Sequence, residues 1–541
     1  MPEEQPPADP DPGSDWTWTR PEDGTQDPPA EPTPTAAHAA PATARHALPR
    51  NEDFRRTVGF TVLGTILPGA GLIAAGRRVV GSVVLGLFVL TLLALGIAAL
   101  VDRDALISIG VDPTMLRRLT TVLIVVAALW VVVVAATHLT LRHRPTRPQR
   151  VIGGVLVGVL AFAVAAPLAV AARTAYVSAS LVGTMFQSSK DTSSATRPTL
   201  RPTHAGDKEQ ASNPWADQGR LNILLLGGDA GKGRVGTRTD TVILASIDTK
   251  TGDTTLFSLP RNTAKMPFPS NSPLKRYYPN GFTDGDPNNA EFFLNAMYRD
   301  VPVKVPDDIL GKTDNLGADV MKLSVGQALG LKVDYYMLIN LQGFSKLVDA
   351  LGGVRLNVNT YIPIGGNTDL HIPPKEYLHP GPNQKLDGRS TLWYARGRYG
   401  SDDFARMDRQ RCVINAIIKQ ANPTNVLTRY EDIANASKSI VYTDIPQEVL
   451  PAMVDLSLRV KQGNVRSVVF KNGINGFLSE DPDFSQMRSR VKKAIGETKS
   501  DSTSTKSTSS GDGAKSPTSE DVDSTCKYDP KIAATARPYT G

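Results

Sequence analysis

The chain has 541 residues, several times the length of a usual domain, so a single compact core is excluded. Its two cysteines, Cys412 and Cys526, are too few for a disulfide scaffold and lack the spacing of a zinc or redox motif. The net charge of +7 suggests nucleic acid as one kind of partner, and the positions of the basic residues decide whether that partner fits.

The first segment, residues 1–56, is rich in proline, alanine, threonine and acidic residues. Such a composition cannot bury a core, so we predict a disordered, acidic, proline-rich tail. The segment also lacks the basic start and the immediate apolar stretch of a cleavable signal peptide. Any export signal must therefore lie further along the chain.

Three apolar runs follow, at 79–101, 119–141 and 151–172, and none contains Asp, Glu, Lys or Arg. Each is long enough as a helix to cross about 30 Å of hydrocarbon. We predict three transmembrane helices, and we interpret His138, near the end of the second, as an interfacial residue.

Residues 57–76 are apolar but contain five glycines and Pro68. Arginines mark the cytoplasmic side of a membrane protein, and they occur at 55–56, at 77–78 and four times in the loop 142–150. Because arginines flank both ends of 57–76, we predict a re-entrant or interfacial segment, with a fourth span as the alternative. Under either interpretation the chain after residue 172 is extracytoplasmic and the protein is a multi-pass protein of the cell membrane.

The remainder of the chain divides by composition into three parts. Residues 173–219 are predicted to form a linker, 220–496 an extracytoplasmic globular domain, and 497–541 a disordered Ser/Thr-rich tail. Cys412 falls in the domain and Cys526 in the tail. Both a disulfide between them and two free thiols remain open.

The domain begins with two predicted strands whose facing ends are acidic. The first ends at Asp229, and the second begins at Asp240. In a hairpin these carboxylates share one edge of the sheet. Paired carboxylates are ligands that Mg²⁺ prefers, with water and phosphate oxygens completing the shell. The alternative, that both acids cap turns, fits the spacing equally well.

A third predicted strand, 254–259, returns to the same edge and places Arg261 there. Arg238 precedes Asp240 by two residues, so it lies on the same face of the extended chain. Arginines mixed with acids at strand ends suit a metal-bridged diphosphate. The glycine-rich loop 227–233 lacks the Gly-Lys-Ser/Thr ending of a P-loop, so we reject that interpretation.

The segment 386–411 is the most basic stretch of the domain. Arg396 and Arg398 alternate on what we predict to be an extended segment, and Arg406 and Gln410 share a helix face if Asp403 begins that helix. A cluster of this kind is not core. Its extracytoplasmic position and the interspersed aspartates exclude nucleic acid as the partner.

In these motifs the chain resembles the LytR-CpsA-Psr (LCP) family of cell-wall glycopolymer transferases. The resemblance covers about 221–420 and rests on the order of several motifs. They are Asn-Ile-Leu-Leu-Leu-Gly-Gly-Asp229, Arg238-Thr-Asp240-Thr, Ser258-Leu-Pro-Arg261, Leu347-Val-Asp-Ala-Leu-Gly-Gly-Val354, Leu386-Asp-Gly388, Tyr394-Ala-Arg396-Gly-Arg398 and Arg406 to Gln410.

This resemblance implies an α/β fold, an α/β/α sandwich behind the membrane helices, with an apolar groove for a polyprenyl chain. The implied activity is Mg²⁺-dependent transfer of a glycopolymer from a polyprenyl pyrophosphate carrier to peptidoglycan. Asp229 and Asp240 would hold the Mg²⁺. The implied pyrophosphate-binding residues are Arg238, Arg261, Arg396, Arg398, Arg406 and Gln410.

Arg396, Arg398 and Asp403 are our candidate catalytic residues. The arginines would stabilise the departing lipid phosphate, and Asp403 is the candidate general base, with helix capping as its alternative role. The family usually has Asp where this chain has Asn262, so we expect Arg261 to be less firmly oriented.

Two other functions remain open. Water could replace the acceptor at the same site, which would make the protein a polyprenyl pyrophosphatase. Alternatively, the protein is a noncatalytic regulator, or transcriptional attenuator, of wall assembly, although no DNA-binding motif is present in the sequence.

Overall fold

The structure is a computed structural model in which residues 50–101, 110, 112–142, 145–199, 214–215, 218–229, 236–367, 370–420, 441–500 and 519–539 are described. The predicted tail 1–56 lies outside this part except for its last seven residues. Those residues begin a helix.

The first described part is helical. Its helices are α1 (Arg50–Ile66), α2 (Ala70–Ala74), α3 (Arg78–Val101), α4 (Pro113–Leu141) and α5 (Arg147–Met185). Among the described residues, three helices are long and apolar enough to cross a membrane: α3, α4 and α5. They contain the three predicted runs. Helix α5 has 39 residues, about 58 Å at 1.5 Å per residue, and so extends well beyond the predicted end at residue 172.

The glycine-rich segment 57–76 forms most of α1, a turn and α2, which pack against α4. The Nε1 of Trp130 donates to the carbonyl of Thr65 at 3.1 Å. A Cβ on Gly71 would lie 2.3 Å from the Thr137 methyl, so the close approach requires glycine. His138 is 4% exposed and lies 3.3 Å from the Thr61 hydroxyl. Helix α1 therefore covers His138, and its predicted position at the membrane interface stays a prediction.

The domain contains a seven-stranded sheet in the order β11-β10-β3-β2-β1-β4-β9. Its strands are β1 (Arg220–Gly228), β2 (Thr239–Asp248), β3 (Thr254–Leu259), β4 (Tyr335–Asn340), β9 (Val441–Thr443), β10 (Val465–Val469) and β11 (Glu520–Asp521). The predicted antiparallel β1-β2-β3 meander is confirmed. Strand β4 joins β1 in parallel, and β10 joins β3 in parallel. The two-stranded sheets pair β5 (Val354–Val358) with β8 (Gly381–Leu386) and β6 (Ile362–Asn367) with β7 (Ile372–Leu378).

Helices pack on this framework. They are α6 (Leu294–Lys304), α7 (Leu316–Leu329), α8 (Leu341–Ala350), α9 (Gly388–Arg396), α10 (Asp403–Gln420), α11 (Leu450–Gln462) and α12 (Phe484–Ser500). Side chains of β1 alternate between two buried clusters. Leu224 and Leu226 join residues of α6, α7 and α12, whereas Leu221 joins residues of α11. The mixed α/β fold class is confirmed.

Residues 186–199, predicted to be linker, are bound to the domain. The carboxylate of Asp319 accepts from the Ser194 hydroxyl at 2.7 Å and from the Ala195 amide at 3.0 Å. Glu448 accepts from the Ser188 hydroxyl at 2.6 Å. The linker prediction is wrong over 173–199, because the first part continues α5 and the hydroxyls of the second part have partners on the domain.

The predicted disordered tail 497–541 is also partly ordered. Helix α12 continues to Ser500, and residues 519–539 form β11, α13 (Val522–Thr525) and α14 (Pro530–Thr535). Val522 is fully buried, and a disulfide joins Cys526 to Cys412 with a Cα–Cα distance of 5.6 Å. The disorder prediction is wrong for 519–539, because a sheet edge and a covalent link replace the missing apolar residues.

Candidate active site

Five charged side chains meet at one end of the sheet. They are Asp240, Arg261, Arg398, Asp403 and Arg406, which we call the arginine–aspartate cluster. The NH1 of Arg261 lies 3.0 Å from Asp240 Oδ1, and its Nε lies 3.5 Å from Asp403 Oδ1. Arg406 lies 2.9 Å and Arg398 3.7 Å from the same Asp403 oxygen. The sequence placed all five at the site, and the structure brings them together.

Local backbone structure sets these positions. The pairing of β1 with β2 shifts between Gly227–Thr241 and Gly228–Thr239, so Asp240 is the extra residue of a bulge. Bulges redirect side chains, and here Asp240 turns toward Arg261, which follows β3 by two residues. The Arg406 guanidinium also donates to the Asp240 carbonyl at 3.1 Å.

Helix α10 begins at Asp403, but Asp403 is not its cap. The Asp402 carboxylate accepts from the Ala405 amide at 2.7 Å and performs that role. The capping interpretation of Asp403 is therefore wrong. Its carboxylate lies within ion-pair distance of three arginines, although neither oxygen accepts a well-aligned hydrogen bond among the described residues. The attraction is thus one of charge rather than of directed hydrogen bonds.

Burial and charge shift the pKa values of two cluster members. Burial would raise the pKa of the Asp240 carboxyl, but the charge and hydrogen bond of Arg261, the charge of Arg406 and a hydrogen bond from Asn295 hold it below its ordinary value. Burial lowers the pKa of Arg406 to about 10. Asp240 is therefore ionised and Arg406 is a cation at neutral pH. The buried Nε of Arg406 has no hydrogen-bond partner among the described residues.

Two polar residues support the cluster and were not predicted. The side-chain Nδ2 of Asn295 donates to Asp240 Oδ1 at 3.3 Å, and the backbone amide of Asn295 donates to the Arg261 carbonyl at 3.0 Å. Arg409 donates to the carbonyls of Tyr394 and Gly397, which ties α10 to the end of α9. Asn295 carries no charge, and Arg409 lies among several arginines, so neither stood out in the sequence.

An apolar cavity of about 670 Å³ adjoins the cluster. Residues from β1, β2, β4, α8, α10 and α11 line it, together with the last turn of α5. Among the described residues of its lining only Arg396 is charged, and the polar residues Gln410 and Thr241 also line it. Thr241 follows Asp240 in the chain, and Gln410 is one helical turn after Arg406. Neighbours of two cluster residues therefore form part of the cavity wall, and the cavity lies beside the cluster.

Arg396 and Gln410 are positioned by helices. Arg396 is the last residue of α9, with its guanidinium 5.0 Å from the ring centroid of Trp393. The predicted extended segment is wrong at this residue. Gln410 and Arg406 share a face of α10, as their spacing predicted, and Gln410 donates to the Ala395 carbonyl at 3.3 Å. Both are buried, so the expectation that the cluster lies outside the core is wrong for these two residues.

The remaining predicted residues lie at the same sheet edge. The Asp229 amide donates to the Arg238 carbonyl at 2.9 Å, which places buried Asp229 beside the start of β2. The Arg238 side chain pairs with Glu291, which also pairs with Arg299. Among the described residues no group of three or more His, Cys, Asp or Glu side chains lies close enough to hold a metal ion.

Asn262 and Arg261 have different side-chain partners. The Asn262 amide donates to the Ser479 hydroxyl at 3.3 Å, whereas Arg261 is held by the carboxylates of Asp240 and Asp403. Arg261 thus has two carboxylate partners without an aspartate at position 262, and the expectation that it is less firmly oriented than in the family stays a prediction.

The chain is similar in sequence to known proteins. Residues 183–492 match the model of the LytR_cpsA_psr family. The chain is 25% identical over 303 residues to the polyisoprenyl-teichoic acid–peptidoglycan teichoic acid transferase TagU of Oceanobacillus iheyensis, with 54% of this chain and 82% of TagU covered. It is 27% identical over 311 residues to Biofilm regulatory protein A of Streptococcus mutans, with 54% of this chain and 68% of that protein covered.

Among solved structures, protein gbs0355 of Streptococcus agalactiae aligns with a TM-score of 0.38 and 26% identity, covering 53% of this chain and 91% of that one. The family model spans more than half of the 541 residues and includes every predicted site residue. The chain belongs to the LytR-CpsA-Psr family.

Proposed function

We propose that the protein is a membrane-anchored phosphotransferase that moves a glycopolymer from a polyprenyl pyrophosphate carrier to peptidoglycan. One observation carries the proposal: an apolar cavity of about 670 Å³ lies beside a cluster of three arginines and two aspartates. A lipid whose apolar chain ends in a diphosphate would fit this arrangement, with the chain in the cavity and the diphosphate at the arginines. The name of the relative TagU, a teichoic acid transferase acting between a polyisoprenyl carrier and peptidoglycan, supports it.

The last predicted membrane helix, α5, reaches the cavity in which the lipid chain would bind. Val182 and Met185 of α5, and Phe186 after it, line the cavity. The helix that would cross the membrane thus continues into the cavity wall. With the arginine-rich loop 142–150 inside, the domain is extracytoplasmic and the chain is multi-pass. The buried clusters on the sheet support the three layers of an α/β/α sandwich.

In the proposed reaction an acceptor hydroxyl on peptidoglycan attacks the phosphorus nearer the glycan. A new phosphodiester bond forms, the bond to the bridging oxygen breaks, and polyprenyl monophosphate leaves with the electron pair. The hydroxyl proton is released, and Asp403 is our candidate to accept it, because its carboxylate lies among the arginines that would hold the scissile diphosphate. Arg396, at the cavity, and Arg398 would stabilise the departing phosphate.

The two predicted metal ligands could supply only part of the Mg²⁺ coordination shell, because no third His, Cys, Asp or Glu side chain lies close enough to them among the described residues. Asp229 and Asp240 lie at one edge, and the lowered pKa of Asp240 keeps that carboxylate ionised. Two carboxylates would suffice if water and diphosphate oxygens supplied the other ligands. Bound there, Mg²⁺ would neutralise charge on the diphosphate.

The test uses the full chain purified in detergent, with a polyprenyl-diphosphate-linked glycan, peptidoglycan fragments and Mg²⁺. We expect glycan joined to peptidoglycan through a phosphodiester and one polyprenyl monophosphate per transfer, with a marked loss in Arg396→Ala. The control is Arg389→Ala, which removes an exposed arginine of the same helix. Free polyprenyl monophosphate without attachment would identify a pyrophosphatase. Neither product would favour the noncatalytic regulator.

A further inference from the structure

Residues 519–539, which we call the C-terminal strap, run along the helix that carries Arg406 and Gln410. Glu520 pairs with Arg411 at 2.6 Å, and Asp523 accepts from Asn415 at 2.8 Å. Asp523 also pairs with Lys419, and Cys526 is bonded to Cys412. All four partners belong to α10. The strap is therefore fixed to the side of α10 that does not face the cluster.

The strap then crosses to the small β5-β8 sheet. Asn357 donates to the Cys526 carbonyl and Asn359 to the Lys527 carbonyl, each at 3.0 Å. The Asp529 amide donates back to Asn359 at 3.0 Å. Backbone groups of the strap thus have side-chain partners that set its direction toward α14.

At its far end the strap covers the turn between α9 and α10. The Tyr539 ring packs edge-on against Tyr399, with centroids 5.4 Å apart, and its carbonyl accepts from the Tyr377 hydroxyl at 2.5 Å. A Cβ on Gly400, whose φ is +72°, would lie 2.2 Å from Tyr539 Cγ. The turn and the tyrosine are therefore in close contact.

This turn carries Arg398. The Ser401 amide donates to the Arg398 carbonyl at 2.7 Å, which closes the turn. The Arg398 side chain is 41% exposed, against 29% for Arg261 and 5% for Arg406. Its ion pair with Asp403, at 3.7 Å, is also the longest of the cluster, so the position of its guanidinium depends mainly on the backbone of the turn. Tyr539 contacts this backbone at Tyr399 and Gly400, on the other side of Arg398 from the hydrogen bond that Arg409 donates to the Gly397 carbonyl.

We propose that Tyr539 is a positioning residue that holds the turn at Tyr399 and Gly400, so that Arg398 points into the arginine–aspartate cluster. Tyr539 acts through Arg398 and does not itself bind the ligand. The inference rests on the proposed function, because it takes the cluster to be the diphosphate site. The aromatic ring makes the contact, so phenylalanine should replace tyrosine without loss.

The experiment measures the affinity of the full-length protein in detergent for farnesyl pyrophosphate. Tyr539→Ala is compared with Tyr539→Phe and with Tyr277→Ala, a control at a tyrosine of similar exposure, 43% against 49%. We expect about a tenfold loss of affinity for Tyr539→Ala and less than about a twofold change for the other two. The variant Tyr377→Phe, which removes one hydrogen bond to the strap, should show a smaller loss in the same direction.

A double-mutant cycle separates positioning from a general loss of structure. In an Arg398→Ala background the effect of Tyr539→Ala should fall below about twofold, because the residue it positions is absent. Equal losses in both backgrounds, or equal affinities for Tyr539→Ala and Tyr277→Ala, would overturn the inference. Transfer is measured separately on the same preparations. A protein that binds farnesyl pyrophosphate but transfers nothing refutes the proposed function and leaves this comparison of affinities decisive.

Discussion

The apolar cavity and the arginine–aspartate cluster are neighbours that differ in almost every physical respect. The cavity is lined mainly by aliphatic side chains, with Arg396 as its charged member among the described residues. The cluster consists of charged groups that form ion pairs at 2.9 to 3.7 Å. An apolar chain gains affinity in the first roughly in proportion to the area it buries, whereas charge and geometry determine binding in the second.

Charge balance explains why the cluster can accept a ligand. Three arginines and two aspartates leave a net charge of +1, since 3 − 2 = 1, for the five side chains. The buried Nε of Arg406 also lacks a hydrogen-bond partner among the described residues. An anion would supply that partner and the missing negative charge. The cavity has no such requirement, so the two regions should respond to different substitutions.

The largest expected effect comes from Arg261→Ala. Arg261 touches both aspartates of the cluster, so its loss removes a phosphate ligand and leaves Asp240 and Asp403 without a shared cation. We expect transfer to fall by about 100-fold or more, as when one charge-stabilising donor of an active site is removed. The assay is the rate of glycan attachment at saturating lipid substrate.

The matched control is Arg389→Ala, which removes an arginine that pairs with Glu376 at the surface. Its side chain is 64% exposed, so its loss should leave the rate within about twofold of the unmodified protein. A similar fall in both variants would mean that charge in general, and not the cluster, sets the rate.

The next prediction distinguishes the apolar cavity from the arginine–aspartate cluster by their ligands. Met337 lines the cavity from β4 and is only partly buried, so Met337→Trp should fill space that the lipid needs. We expect about a tenfold loss of affinity for a polyprenyl diphosphate, with affinity for inorganic pyrophosphate unchanged. Arg261→Ala should lower the affinity for both the polyprenyl diphosphate and inorganic pyrophosphate.

The control for Met337→Trp is Val303→Trp, at a residue that is 82% exposed. If Met337→Trp also weakened binding of inorganic pyrophosphate, the cavity and the cluster would not be separable, and the contrast between them would fail.

The sequence predicted the parts of the site that local patterns determine. Strand periodicity and hairpin logic placed Asp229 and Asp240 at one edge, and a spacing of four placed Arg406 and Gln410 together on α10. The bulge that turns Asp240 toward Arg261 was not predicted, because it depends on pairing between β1 and β2. Arg396 was assigned to an extended segment, because the glycine after it hid the helix end.

The segments that the sequence misassigned are held by distant partners. Cys526 is bonded to a residue 114 positions earlier, and Ser194 binds a carboxylate 125 positions later. Polar composition indicates disorder only when such partners are absent, and a single sequence does not show them. The predicted membrane depth of 57–76 and the role of Mg²⁺ stay predictions, because each depends on a component outside the chain.

An effect of similar size concerns the metal. If Asp229 is an Mg²⁺ ligand, Asp229→Asn should raise the Mg²⁺ concentration for half-maximal transfer by about tenfold, because a charged oxygen is replaced by a neutral one. The measurement is transfer rate against Mg²⁺ concentration, with the exposed Asp307→Asn as control. Unchanged Mg²⁺ dependence would assign Asp229 to the turn alone, the alternative that the sequence left open.

The smallest effect is on stability and tests whether the cluster is built around an ionised Asp240. The pKa of this carboxyl is lowered in the folded protein, so its ionisation stabilises the fold above the unfolded pKa of about 4, and this contribution is lost as pH falls through the lowered folded value. Asp240→Asn in detergent should therefore melt about 2 °C below the unmodified protein at pH 7. The difference should shrink as the pH is lowered below about 4, because the carboxyl of the unmodified protein then takes up a proton and the two proteins carry the same charge at this position. A melting difference that stays constant across this range would show that Asp240 stabilises the fold through its shape and hydrogen bonds, and that the arginines of the cluster do not depend on its charge.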